Sequence, residues 1–244
     1  MTGPGCAIDT ATLRCVLRGA LALLLGALCA SAATAAAPPS WPDTPAARLE
    51  ALALIQTVNG EILASSSATL TLEQWCRDHA MAAKPQVIAH PITSAPGAPT
   101  AAQRRELQVN AQELVRYRRV ELSCGGHILS IADNWYVPGR LTPQMNQLLD
   151  HTLTPFGKVV RALRPHRETI EVKMLWSPLP EGWEQGGPGT VADHALTQRL
   201  ELPAALFEHR AILYTPEQRP IAEVDEVYQR DLLAFPEPHL LDSR

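Results

Sequence analysis

The chain has 244 residues, with 21 Lys and Arg against 25 Asp and Glu, for a net charge of −4. That balance excludes a strongly basic nucleic-acid surface and a polybasic membrane face. A hydrophobic share of 46% beside 19% charged residues excludes disorder throughout and provides for the core of one domain.

Residues 1–37 read as a secretory signal peptide. Arg14 and Arg18 form a basic start, Gly19 to Ala30 is uncharged and apolar, and small residues run on to Ala37. If the leader were retained, Gly19 to Ala37 would approach the ~20 residues of a membrane anchor. The expected location is periplasmic or secreted, with no stable membrane partner once the leader is cleaved, and membrane-anchored if it stays. Of five cysteines, Cys6, Cys15 and Cys29 leave with the leader. Cys76 and Cys124 remain, and both a disulfide and two buried thiols fit an exported chain.

A linker and a helix occupy residues 38–68. Thr44 is placed to cap the helix, Pro45 to begin it, Leu49, Leu52 and Ile55 recur at helical spacing, and Asn59-Gly60 marks a stop. A second helix is expected from Thr71, with Gln74 three residues on completing a capping box. Gln86 to His90 reads as a short strand and Pro91 to Thr100 as a loop. From Glu113 the apolar period becomes two, and Gly125-Gly126 turns the chain into a returning strand, His127 to Val137. Thr142-Pro143 and Thr154-Pro155 open two further helices, the second running through Leu163. A strand follows, with Ile170, Val172, Met174 and Trp176 on one face. The Pro/Gly-rich segment within residues 177–199 is a spacer or a lid. Leu206 to Tyr214 and Pro220 to Tyr228 form a second hairpin. Strands joined mostly by hairpins predict an α+β fold with an antiparallel sheet in a single domain over residues 69–235, followed by a tail at 236–244.

The chain carries no GxSxG, HExxH, CxxC, GxxxxGK[ST] or GxGxxG motif, so hydrolase, zinc-protease, redox and nucleotide-binding chemistry lose their main support. Its eight histidines do not fall at metal-ligand spacing on one element, and neither a metal nor a cofactor is expected. Arg116, Arg118 and Arg119 are the most informative local feature. On a strand the first two share a face and Arg119 points the other way with Val115 and Tyr117. A guanidinium on a semi-apolar face needs an anion, either an internal carboxylate or a ligand. On the last hairpin, Glu223 and Asp225 fall on one face, expected to be solvated. Glu226 falls on the other between Val224 and Tyr228, an apolar setting suited to a general acid.

Four stretches, Arg119-Val-Glu-Leu-Ser-Cys-Gly-Gly-His, Trp135-Tyr-Val-Pro, Thr154-Pro-Phe-Gly and Arg219-Pro-Ile-Ala-Glu-Val-Asp-Glu-Val-Tyr, together resemble the chorismate pyruvate-lyase family in order and spacing, over roughly Thr69 to Tyr228. The resemblance implies a cofactor-free conversion of chorismate, or a related aromatic or cyclic carboxylate, to 4-hydroxybenzoate and pyruvate. Arg119 would bind the substrate carboxylate, the Phe156-Gly157 backbone would hold an anionic end, and Glu226 would be the acid. A gap-free count from Pro220 reaches Asp225 instead, and Glu226 takes one inserted residue. The same fold occurs in ligand-sensing domains of transcription regulators, which implies the alternative of a non-catalytic exported binding protein. In either reading the partner is a small molecule and not a nucleic acid.

Overall fold

The structure is a computed structural model that describes Met1 and residues 41–93, 97–185 and 198–238. The leader, the tail beyond residue 238 and residues 186–197 of the Pro/Gly-rich segment lie outside the described residues.

Helix α1, Pro45–Ala64, starts where Thr44 accepts a hydrogen bond from the Ala47 amide and Pro45 fills the first turn. It does not stop at Asn59-Gly60. Asn59 is buried and occupied by side-chain bonds, and Gly60, which costs about 1 kcal/mol in a helix interior, is carried by the packed turns on either side. Helix α2, Ala68–Asp78, begins earlier than Thr71, because the Ser67 hydroxyl accepts from the Leu70 amide. Strand β1 is Val87–Pro91. Helix α3, Ala101–Glu106, has no counterpart in the sequence reading, although Thr100 and Gln103 form a complete capping box. Strands β2, Arg116–Cys124, and β3, His127–Tyr136, make the first hairpin. Helices α4, Pro143–His151, and α5, Phe156–Val159, follow at the two Thr-Pro signals. Strand β4, His166–Met174, stops short of Trp176, and a bulge between Thr169 and Glu171 breaks its expected single apolar face. Strands β5, Ala205–Tyr214, and β6, Pro220–Gln229, form the second hairpin.

All neighbours pair antiparallel in one six-stranded sheet of order β1-β2-β3-β6-β5-β4, so the fold is α+β as expected. The two hairpins meet where β3 pairs with β6. Val120, Ala132, Glu226 and His209 form one row across four strands, and Arg118, Asn134, Val224 and Ala211 form the next. These residues share the inner face, against which the long helices pack. One apolar cluster joins α1 and α2 to the sheet through Ile55, Ile62, Leu72, Leu122 and Phe207. A second joins α4 and α5 through Met145, Phe156, Tyr136 and Leu213. The candidate site lies between the two.

The β2–β3 turn needs glycine. Gly125 has φ +59°, and a Cβ there would lie 2.4 Å from the Ala82 Cβ. Beside it Cys124 is bonded to Cys76, which resolves the sequence alternatives in favour of a disulfide and ties α2 to the end of β2. The bond closes a segment of 48 residues. Replacing both cysteines by Ala should therefore lower unfolding stability by about 2–4 kcal/mol in denaturant titrations. Unchanged stability, or two free thiols in denatured, unreduced protein, would contradict the bond.

Candidate functional site

Of the four residues singled out by sequence, Glu226, Phe156 and Gly157 line one narrow, partly open cavity and Arg119 does not. The cavity leaves about 40 Å³ open to the centres of water-sized molecules, room for a few waters. Ser66, Ser67 and Thr69 of the α2 start wall it opposite Asn134 and Arg167. Gly157 is required by close approach, since a Cβ on it would lie 2.9 Å from the Ser67 Oγ and 3.0 Å from the Thr69 Oγ1.

Glu226 is buried, as its place between Val224 and Tyr228 predicts, but it is already engaged. Its Oε2 accepts from Arg167 Nη2 at 2.8 Å and from the Tyr228 hydroxyl at 3.1 Å. Arg167 also donates to the Thr169 hydroxyl at 2.5 Å, while its Nε is buried without a partner. Burial alone would pull the Arg167 guanidinium down, but the Glu226 charge outweighs it and holds the group above its usual range. Burial and then the Glu226 charge push the Tyr228 phenol well up, so it stays a donor. The sequence reading overlooked Arg167. The signal available was a lone Arg at the start of an alternating strand, in the register that faces the core.

Arg119 lies on the other face of the sheet, contrary to the expectation that it shares a pocket with Glu226. Side chains alternate along β2, and Arg119 pairs in register with Asp133, whereas Val120 is in the row of Glu226. The Arg119 Nη1 lies 3.2 Å from Asp133 Oδ2, and the Tyr117 hydroxyl donates to the same carboxylate. The gap-free alternative, Asp225, lies on this outer face in the row of Arg119 and Asp133, away from Phe156 and Gly157. No single pocket therefore holds the whole implied set.

The outer acidic face is also less solvated than expected. Glu223 is buried and receives Gln103 Nε2 at 3.4 Å from α3. Burial, then the Glu106 carboxyl, raises Glu223 to about 7. Burial, then the charges of Glu208 and Asp133, raises Asp225 to about 6.

Arg118 shares the inner face, and both of its terminal nitrogens are buried with no hydrogen-bond partner. Burial pulls its guanidinium below the usual range, against the weaker pull of Tyr136 and Asp150. It forms part of the wall of an open cleft of about 470 Å³, bounded also by Pro91, Arg116, Tyr136, Leu149 and Asp150. Arg116 is tied down by Asp150 at 2.9 Å. Among the described residues no three His, Cys, Asp or Glu side chains converge as metal ligands would.

His209 adds a pH dependence. It is fully buried, its Nε2–H donates to Asn59 Oδ1 at 2.7 Å, and its Nδ1 has no partner. Burial, then the Arg167 charge, lowers it to about 4. The unfolded chain, with His near 6.5, binds the proton first. The contribution is complete above pH 6.5 and is lost as pH falls towards 4, by up to about 3 kcal/mol. Glu223 and Asp225 have the opposite sign, so wild type and His209→Gln should be compared. The variant should lose less stability between pH 6.5 and 4 in thermal or denaturant unfolding, and parallel curves would contradict a buried neutral His209.

No family model matches the chain. Among solved structures it is similar to the effector domain of PhnF from Mycobacterium smegmatis, with a TM-score of 0.41 and 12% identity over 68% of this chain and 90% of that one. It is also similar to a transcriptional regulator of the GntR family from Enterococcus faecalis, with a TM-score of 0.37 and 9% identity over 58% and 93%. At such scores these likenesses add nothing to the fold read from the sheet itself. The uncharacterized protein y4mC of Sinorhizobium fredii is 41% identical over 201 residues, covering 82% of this chain and 84% of that protein. At that identity, over most of both sequences, this chain belongs to the same family as y4mC.

Proposed function

We propose that this domain is a non-catalytic binding module for a small carboxylate-bearing compound, aromatic or cyclic, with the carboxylate on Arg118. The observation that carries the reading is a guanidinium with both terminal nitrogens unpartnered behind the wall of an open cleft, and that wall must shift before a carboxylate reaches them, since each nitrogen exposes less than 1 Å². A buried charge without a partner costs several kcal/mol, and a planar carboxylate matches the guanidinium fork. Tyr136, Leu149 and Pro91 supply apolar surface for a ring. The role that the resemblance gives to Arg119 passes to the neighbouring residue, because Arg119 is already paired with Asp133.

One observation favours the second reading, cofactor-free elimination of pyruvate from chorismate. Glu226, Phe156 and Gly157 line a common narrow cavity. Against it stand the two hydrogen bonds already ending on Glu226 Oε2 and a space of about 40 Å³, which would have to open before chorismate could enter. We infer also that the chain acts outside the cytoplasm, after cleavage of its leader. The basic, apolar and small-residue order of residues 14–37 supports this, and so does the Cys76–Cys124 disulfide.

Calorimetry with 4-hydroxybenzoate, benzoate and cyclohexane carboxylate tests the first reading. At least one acid should bind, and Arg118→Ala should weaken it by about 30-fold or more, since truncating one partner of a buried charge pair costs about 2–5 kcal/mol. Arg119→Ala should change little. If none of the three acids binds, or if Arg119 is the sensitive position, the reading fails. In a chorismate assay wild type should release no pyruvate. Release that falls by about 10²–10⁴ in Glu226→Gln would establish the lyase instead.

A further inference from the structure

Among the described residues, one side of helix α1 packs against the sheet and the opposite side stays exposed. Ala47, Ala51, Ile55, Val58 and Ile62 are buried against the sheet. On the opposite side Leu49, Ala53, Gln56, Gly60 and Leu63 form an exposed stripe at heptad spacing that contains no charged residue. Leu49 and Leu63 are 48% and 43% exposed. The stripe continues onto the sheet, because Gln56 Nε2 lies 3.9 Å from the Met174 Sδ, and Val172 and Met174 of β4 are 41% and 42% exposed. Thr57 and Glu61 are exposed on one flank, so the unpartnered apolar surface is the stripe itself and not the whole helix.

We propose that this surface is a homodimer interface, in which α1 packs antiparallel against α1 of a second copy across a two-fold axis at Gln56. The stripe is self-complementary about that point. Leu49 and Leu63 stand seven residues before and after Gln56, so each leucine faces the other kind on the second copy. Ala53 and Gly60 flank the centre and let the helices approach closely, and space beside Gly60 is open, with no atom within 4 Å of a Cβ built there. The two Gln56 amides can donate to and accept from each other. With no charge on the stripe, nothing repels its own copy across the axis. A helix of 20 residues is about 30 Å long, and with the flanking face of β4 it makes one continuous surface to set against the about 1,200 Å² that a stable interface buries. A membrane-surface helix would carry several Lys or Arg on the polar face beside its apolar stripe. The one basic residue of α1, Arg48, is held by Asp43 at 2.6 Å.

Sedimentation equilibrium of the purified protein tests the proposal. Wild type should sediment as a dimer. Gln56→Glu combined with Leu63→Glu should about halve the mass while leaving circular dichroism and the melting profile of the folded domain intact, and Leu114→Glu, at an exposed site elsewhere, should leave the dimer unchanged. Gln56→Cys should form an intermolecular disulfide that wild type does not. A monomeric wild type, a dimer that survives the double variant, or mixed assemblies that detergent disperses would each overturn the proposal.

Discussion

The pleat of the sheet governs everything else in this molecule. Successive residues of a strand go to opposite faces, so the registers of six strands assign each charge to one of two environments. The inner face receives Arg118, Arg167, Glu226 and His209 together with the apolar rows. The outer face receives Arg119, Asp133, Asp225, Glu223 and Arg210. A single step along β2 separates an arginine with an internal carboxylate from one without. That step decides which of the two is left without an internal anion.

The inner charges are not equivalent. Arg167 and Glu226 satisfy each other in a site from which water is almost excluded, and Thr169 and Tyr228 complete part of the hydrogen bonding. Such a pair adds little net stability against well-packed apolar residues, but removing one member strands the other. It therefore fixes the middle of the sheet in one arrangement more than it strengthens it. His209 is part of the same arrangement, because burial, and then the positive charge of Arg167, keeps it from becoming a second cation there. Arg118 has no such internal answer. Among the described residues, the carboxylate acting on it, Asp150, already holds Arg116, and the two arginines share one negative charge. That imbalance is what an external carboxylate would relieve.

Most of the scaffold was legible in the sequence because its signals are local. Thr44-Pro45, Thr142-Pro143 and Gly125-Gly126 act within a few residues, and each marks an element boundary in the structure. Glu226 was legible as buried because its neighbours at i−2 and i+2 are Val224 and Tyr228. What the chain could not show locally is partnership. Arg167 lies 59 residues from Glu226, and His209 lies 150 from Asn59. Asn59-Gly60 misled for the same reason: the usual reading of that dipeptide as a helix stop depends on an exposed Asn, and here a distant histidine holds it inside the helix. The reading of Glu223 and Asp225 as solvated failed because α3, a six-residue helix, brings Gln103 and Glu106 over the outer face.

The Asn59–His209 hydrogen bond also connects the inner site to the surface of α1. Packing of small and branched residues, Ala47, Ala51, Ile55 and Val58, would tolerate some rotation of the helix about its axis. A single polar bond to a fully buried strand residue does not, because a turn of one residue, about 100°, would leave His209 Nε2 and Asn59 Oδ1 both unpaired in the core. With the rotation fixed, Gln56, three residues before Asn59, must stand at the helix margin beside Met174. Leu49 and Leu63 then lie on the same line by their sevenfold spacing. The exposure of an uncharged stripe on α1 is thus a consequence of the polar contact beneath it. Among the described residues, no rotation of α1 can remove that stripe without breaking the contact.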